Sequence, residues 1–280
     1  MKRLVAILLV FLLCISSVLS VQGDETYPSL SLLAINVRKA DALLLRSGES
    51  TYLIDTGSEE SYDKLYSVLK LEGISRLTGV ILTHTHKDHA GGFDQLADSD
   101  IEIENVYASA YYNKKKESKH PAVKALKDTN QTVVFLSSGD ELPLEGGCLK
   151  VIGPLEKNEE DENNNSLVLL AEGGGGSILL TGDMEFPEED SLLKAGLIPH
   201  ADILKIGNHG EDDATSNALI AAVKPALAVI STNTHDEPDT PSPRVLKLLA
   251  SWDIPVLITQ DTENGVLVRI TNGQITTEMK

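Results

Sequence analysis

Residues 83–89 of this chain read Thr-His-Thr-His-Lys-Asp-His and directly follow an apolar run that predicts a buried strand. Three of the seven histidines and one carboxylate lie within these residues. Residues two apart on an extended chain point the same way, so the imidazoles of His84 and His86 can meet one cation. Asp88 and His89 follow at the turn into a predicted helix, where they can reach a second cation. The spacing predicts a binuclear metal site more strongly than a polar loop with chance histidines.

Three further polar residues stand where apolar strands end. Asp55 follows Tyr-Leu-Ile, Asp183 follows Ile-Leu-Leu-Thr-Gly, and His209 follows Ile-Leu-Lys-Ile-Gly-Asn. Asp and His are residue types that bind metals, so we expect these side chains to lie together at one sheet edge. Asp55 has two interpretations at this stage. It either caps the next helix or orients a ligand imidazole by a hydrogen bond.

The rest of the chain alternates predicted strands and helices. Residues 30–55 predict an antiparallel meander, and residues 148–181 predict a second antiparallel set. Helices are predicted over 121–129 and 242–251. No linker divides the chain, so we expect an α/β fold with one hydrolase domain over residues 24–280.

The first 23 residues have the layout of a secretory signal peptide, with Lys2-Arg3, an apolar run and then small residues. The run is short for a membrane span. We therefore expect a secreted, extracytoplasmic protein, cleaved after Ser20 or Gly23 and without stable membrane association afterwards. Lipidation of Cys14 and an uncleaved anchor are the alternatives.

The formal net charge of −18 predicts a surface that repels polyanions unless basic groups are gathered locally. Six lysines fall within fourteen residues, at positions 114, 115, 116, 119, 124 and 127, just after three tyrosines. One interpretation is a solvated helix face. The other is a patch that binds a phosphodiester substrate, with DNA near Lys114, Lys115 and Lys116.

Other residues of chemical interest have simpler interpretations. His120 and His200 stand beside prolines and are expected in exposed loops. His235 lies near the predicted polar edge, where contact with substrate or metal stays open. Cys148 is expected to be a small buried apolar residue, and Trp252 to pack at a helix end.

Four motifs, in this order, resemble those of the metallo-β-lactamase superfamily: Ile54–Gly57, His84–His89, Thr181–Asp183 and Asn208–Gly210. The resemblance covers residues 28–272. It implies an αβ/βα sandwich of two mixed β-sheets, with helices on the outer faces and a metal site at one sheet edge.

The superfamily motifs divide six side chains between two metal positions: His84 and His86 at the first, Asp88, His89 and His209 at the second, and Asp183 bridging both. No histidine occupies the third superfamily motif, between His89 and Asp183. The first metal therefore has fewer protein ligands than the family pattern provides.

Within the superfamily, the chain resembles the metallohydrolase domain of ComEC-type competence proteins. It departs from that branch at Arg38 and Ala40, where glycines are usual, and at Asn208, where a histidine is usual. The segments that carry the resemblance are 37–42, 163–168, 202–205 and 224–231.

Two divalent cations sharing Asp183 can activate a bridging hydroxide for hydrolysis. Zinc suits the imidazole-rich set, and the carboxylates leave room for manganese. Three residues are predicted to assist. Asp88 would accept a proton from the attacking water, Asp55 would hold a ligand, and Asn208 would donate to the oxyanion.

The resemblance and the lysines favour a secreted phosphodiesterase or nuclease of the ComEC-like branch. A lactam, lactone or thioester hydrolase of the same fold is the first alternative. The second is a non-catalytic metal-binding module whose first site has decayed.

Overall fold

A computed structural model describes residues 28–280. The predicted signal peptide, with Cys14, lies outside these residues. Within residues 28–280 two mixed β-sheets pack face to face and helices cover both outer faces, which is the predicted αβ/βα sandwich. No helix in this range is long and apolar enough to cross a membrane.

The first sheet combines an antiparallel half with a parallel half. Its spatial order is β17-β16-β1-β2-β3-β5-β7-β8, and pairing becomes parallel from β3 onward. Its strands are β1 (Leu30–Ile35), β2 (Leu43–Ser47), β3 (Ser50–Ile54), β5 (Gly79–Leu82), β7 (Val106–Ser109), β8 (Val133–Leu136), β16 (Gly265–Thr271) and β17 (Gln274–Met279).

The second sheet repeats this division in the order β15-β14-β13-β12-β11-β10-β9. Pairing is antiparallel from β9 to β12 and parallel from β12 to β15. Its strands are β9 (Glu141–Leu144), β10 (Gly147–Gly153), β11 (Val168–Gly173), β12 (Gly176–Leu180), β13 (Ile203–Lys205), β14 (Leu227–Ile230) and β15 (Val256–Ile258). The short strands β4 (Arg76–Leu77) and β6 (Glu102–Ile103) pair separately.

Each sheet buries one face against the other sheet and one face against helices. Helices α1, α3 and α4 pack on the first sheet, and α5, α6 and α7 pack on the second. Between the sheets, the buried Tyr52 donates its hydroxyl to the carbonyl of Pro143 at 2.8 Å. The helices are α1 (Tyr62–Leu71), α2 (Lys87–Ala90), α3 (Phe93–Ala97), α4 (Pro121–Ala125), α5 (Phe186–Ala195), α6 (Asn217–Val223) and α7 (Pro243–Ser251).

The elements without a counterpart in the sequence-based expectations include β9, β17 and α5. β17 is an edge strand with mostly exposed side chains, so it lacks an apolar face to detect. In α5 the buried face contains Glu188 and Glu189 beside Leu192, which interrupts the apolar pattern. The predicted helix 121–129 ends earlier, at Ala125.

Glu188 lies in the first turn of α5 with 5 % of its surface exposed, and its Oε1 has no hydrogen-bond partner among the described residues. Burial raises the pKa of this carboxyl group to about 7 from its usual value of 4.5. The folded chain therefore binds a proton more tightly than the unfolded chain. Stability contributed by the protonated carboxyl is lost as the pH rises from 4.5 to about 7.

Glu188→Gln should remove this loss because glutamine stays neutral. We expect the variant to gain about 1–2 kcal/mol in free energy of unfolding at pH 8, discounted from the full shift for partial solvation. The gain should vanish near pH 4.5. Urea unfolding at both pH values measures it, with the exposed Glu160→Gln as control. Equal gains at both pH values would contradict the assignment.

Candidate metal centre

Six side chains converge where strands of both sheets end. The parallel strands β3 and β5 end before Asp55 and the 84–89 motif, and β12 and β13 end before Asp183 and His209. The carboxyl ends of parallel strands meet at one sheet edge, so both sheets contribute to one site. Two groups of candidate ligands result, with ligand atoms within 4.8 Å of one another in each: His84, His86 and Asp183, and Asp88, His89, Asp183 and His209.

Asp183 is the residue that the two groups share. Its Oδ2 lies 3.0 Å from Nε2 of His89, 3.6 Å from Nε2 of His209 and 3.7 Å from Nε2 of His84. All four side chains are almost fully buried. A carboxylate amid three imidazole nitrogens has the place that a bridging ligand requires, as the superfamily motifs imply.

The remaining members lie nearer the surface. Asp88 Oδ2 is 3.4 Å from His209 Nε2, and the Asp88 side chain keeps 35 % of its exposure. His86 is half-buried, with its ring 4.7 Å from that of His84. Solvent therefore reaches the site from the side of Asp88 and His86.

Asp55 holds the end of β3 to the start of the motif. Its buried carboxylate accepts hydrogen bonds from the amide and hydroxyl of Thr83, both at 2.7 Å, and from Nδ1 of His89 at 2.7 Å. An imidazole that donates through Nδ1 presents its Nε2 lone pair to a cation. Of the two interpretations of Asp55, this geometry matches the orienting carboxylate.

Ser166 and Thr83 play a similar part at His84. Both hydroxyl oxygens lie 3.2 Å from Nδ1 of His84, and Ser166 also accepts the backbone N–H of Asp183 at 3.1 Å. One serine thus links ligands from different sheets. The sequence shows this residue only as the last member of the Asn-Asn-x-Ser segment.

Several side chains of the cluster have strongly shifted pKa values. Burial lowers the pKa of His84 well below its ordinary value. Burial alone would also lower the pKa of His89. The negative charges of Asp183 and Asp55 outweigh the effect of burial and hold this pKa well above the ordinary value. Burial alone would raise the pKa of Asp183. The imidazoles of His89 and His209 outweigh the effect of burial and hold this pKa well below the ordinary value. A bound cation would replace the proton that His89 shares with these carboxylates.

The turn that carries His209 has left-handed backbone angles at two residues, with φ of 44° at Asn208 and 51° at His209. Its conformation is held by hydrogen bonds. His209 Nδ1 lies 2.9 Å from the carbonyl of Ser231, and Asn208 Nδ2 lies 3.1 Å from Glu185 Oε1 and 3.4 Å from Asp213 Oδ1. The Asn208 amide is thus directed at carboxylates and not at the cluster. Its role as an oxyanion donor stays a prediction.

Three histidines lie outside the cluster. The expectation of an exposed loop is wrong for His120, which is 1 % exposed and packs against the rings of Tyr112 and Phe135. Burial lowers the pKa of His120 to about 4. His200 is exposed, as expected, and so is His235, which joins none of the ligand groups formed by the described residues.

Cys148 and Trp252 differ in how well they were predicted. Cys148 is only half-buried on β10, and its Sγ lies 3.3 Å from Glu172 Oε2, so the prediction of a buried apolar residue is wrong. Trp252 follows the end of α7, as predicted, and donates its indole N–H to Asn217 at 2.9 Å.

A family model for the metallo-β-lactamase superfamily matches residues 35–235. The chain belongs to this superfamily. ComE operon protein 3 of Bacillus subtilis (strain 168) is 28 % identical over 275 residues, which cover 92 % of this chain and 34 % of that protein. Recombination protein 2 of Haemophilus influenzae is 26 % identical over 228 residues, covering 80 % of this chain and 26 % of that protein. The chain therefore spans about a third of these relatives or less.

Solved structures show the same fold. The metallo-β-lactamase fold protein YhfI from Bacillus subtilis aligns with a TM-score of 0.58 and 15 % identity, covering 86 % of this chain and 99 % of that one. A diphosphatase from the PhnP family aligns with a TM-score of 0.53 and 11 % identity, covering 90 % of this chain and 99 % of that one. At these identities the likeness concerns the fold alone.

Asp183→Asn keeps the shape of the side chain but removes the negative charge that the two ligand groups share. We expect the affinity for zinc or manganese to fall by more than ~100-fold, since even outer partners of a ligand are worth 10–100-fold. Dialysis followed by elemental analysis measures bound metal, and circular dichroism checks that the fold persists. The exposed Asp98→Asn is the control. Metal retained by Asp183→Asn at the wild-type level would refute the bridging role.

Proposed function

We propose that this chain is a metal-dependent phosphodiesterase that acts as a nuclease outside the cytoplasm. The superfamily hydrolase fold and the clustered histidines and aspartates support hydrolysis. The relative whose name marks it as a recombination protein supports a nucleic-acid substrate. The observation that carries the proposal is a lysine-bearing cavity beside His86.

The donor atoms fit two divalent cations. His84 Nε2 and Asp183 Oδ1 are buried without a hydrogen-bond partner among the described residues, which is costly unless a cation takes them as ligands. When bound, two such cations would lower the pKa of a shared water and polarise the bond under attack. Zinc and manganese both suit this mixed set of imidazoles and carboxylates.

The charge of the site is compatible with two divalent cations. Four carboxylates meet here, those of Asp41, Asp55, Asp88 and Asp183, and the buried Lys205 offsets one of them. Two divalent cations bring one positive charge more than the remaining three carboxylates need. That surplus leaves room for one anionic ligand, which a phosphodiester oxygen or the attacking group provides.

The roles proposed for the protein's own residues follow from how exposed each side chain is. Asp55 is fully buried and keeps His89 in the orientation that a ligand needs, while Ser166 and Thr83 do the same for His84. Asp88 retains contact with solvent, so it is placed to accept a proton from the attacking water.

A cavity of about 330 Å³ opens directly beside His86. Lys87 and Lys124 line it together with Glu59 and Asp94, and its volume lies in the range of small-ligand sites. Lys124 belongs to the lysine cluster of residues 114–127, so this cluster borders the candidate centre. The ammonium groups offer contacts to the phosphates that flank a scissile bond.

The start of the lysine cluster is also tied to the motif. Buried Glu162 accepts hydrogen bonds from the backbone N–H of Asn113 at 2.7 Å and from the hydroxyl of Thr85. Lys114, Lys115 and Lys116 follow Asn113 and are exposed. A strand of nucleic acid that leaves the centre along this side would meet them in turn.

Nuclease activity should respond strongly to salt because each phosphate contact releases condensed counterions. With about four contacts to a single strand, raising salt from 50 to 200 mM should weaken binding roughly fifty-fold. Changing Lys114, Lys115 and Lys116 to Glu should weaken DNA cleavage and reduce this salt dependence. Hydrolysis of bis-p-nitrophenyl phosphate should stay nearly unchanged.

The matched control reverses the exposed charges of Lys194, Lys247 and Arg269, on α5, α7 and β16. It alters net charge equally and should leave the salt dependence as in the wild type. Turnover of a lactam, lactone or thioester without cleavage of DNA, RNA or the model ester would favour the alternative hydrolase. Fewer than two bound metals without any turnover would favour a non-catalytic module.

Export is part of the proposal, on the layout of the first 23 residues. We expect the mature N-terminus between Val21 and Asp24. Mass spectrometry of the native protein decides this. A retained Met1 or a lipid on Cys14 would contradict export with cleavage of a signal peptide.

A further inference from the structure

Lys205 and Asp41 form an ion pair whose two side chains are fully buried. Lys205 is the last residue of β13, between the buried Leu204 and Ile206. Its Nζ lies 3.0 Å from Asp41 Oδ2 and donates to the carbonyl of Ile206 at 2.9 Å. Burying two charges is expensive, and an apolar pair of similar volume is often as stable. The pair therefore calls for a reason beyond stability.

Asp41 lies close to three members of the second ligand group: Asp88, His89 and His209. Its backbone N–H donates to the carbonyl of Asp88 at 3.1 Å, and its own carbonyl accepts the N–H of Gly57, two residues after Asp55, at 2.8 Å. Its Oδ1 lies 3.9 Å from Nδ1 of His209. Its carboxylate also lies within 4.8 Å of ligand atoms of Asp55 and His89.

Lys205 reaches the same region from the second sheet. Its backbone carbonyl accepts the hydroxyl of Thr181, two residues before Asp183. The ion pair therefore joins the segment that supports Asp88, from the first sheet, to the strands that supply Asp183 and His209, from the second. Its two ends therefore contact segments that carry ligands from both sheets.

We infer that Asp41 and Lys205 are positioning residues for the second metal position, setting the distance between Asp88 and His209. This inference rests on the metal centre of the proposed function. Asp41 holds Asp88 through the backbone and stands behind the imidazole of His209. Lys205 neutralises the carboxylate of Asp41. The negative charge of Asp41 therefore does not draw a ligand imidazole or a cation out of position.

The test removes both charges while keeping side-chain shape, in the double variant Asp41→Asn with Lys205→Met. Manganese alone is titrated into the metal-free full chain, and binding is followed by calorimetry and by the electron paramagnetic resonance of free manganese. We expect the affinity of one of two positions to fall about 10–100-fold while the other is kept, as for other partners behind a ligand. Thermal unfolding of the metal-free protein should change little.

The control is a second ion pair with the same charges, remote from the site. Arg46 Nη2 lies 3.1 Å from Glu72 Oε2, between β2 and the residue after α1. Arg46→Met with Glu72→Gln should leave both manganese affinities unchanged. The single variant Lys205→Met leaves Asp41 uncompensated and is expected to unfold more easily, so the double variant carries the conclusion.

The outcomes separate the inference from the proposed function. Wild-type affinity at both positions in the Asp41/Lys205 double variant would overturn the positioning role and leave the nuclease proposal standing. A selective loss of one position with no cleavage of any phosphodiester by the wild type would support the positioning role and overturn the nuclease. A wild-type chain that binds fewer than two manganese ions would overturn both.

Discussion

The concentration of carboxylates at the edge of an apolar sandwich is the constraint on which the rest of the structure depends. Each carboxylate is stabilised differently. Asp55 accepts three hydrogen bonds, Asp41 faces an ammonium group, and Asp183 lies among imidazoles. Asp88 keeps part of its hydration. Because an uncompensated buried charge would cost several kcal/mol, these local solutions fix the loops that carry the four residues.

The centre also joins the two halves of the fold. His84, His86, Asp88 and His89 follow the first sheet, whereas Asp183 and His209 follow strands of the second. Tyr52 and the apolar side chains between the sheets provide cohesion away from the site. Cations bound by both sets of ligands would add a connection at the edge, so metal binding would also resist separation of the sheets.

The sequence was sufficient to predict the fold class and where the candidate ligands meet, because strand-end residues of parallel strands meet at an edge whatever the details of packing. It was insufficient where burial depends on partners distant in the chain. His120 is buried because Tyr112 and Phe135 enclose it, and no local pattern indicates that. The pairing of Asp41 with Lys205 cannot be predicted from the sequence, because the two residues are 164 positions apart and only the fold brings them into contact. Lys205 did carry one local clue, since it interrupts an otherwise apolar strand.

Ser166 packs tightly between the two sets of candidate ligands. Its hydroxyl lies between His84 and the backbone of Asp183, and its Cβ would be 2.9 Å from a Cβ placed on Gly182. A side chain at position 182 would therefore have to displace Ser166, so the contact between Ser166 and Gly182 keeps this turn close to His84. The first group of candidate ligands among the described residues offers two imidazoles and one shared carboxylate. A cation bound there would have few protein ligands and would exchange readily with its surroundings, so hydrolysis that depends on it would respond to the local supply of metal.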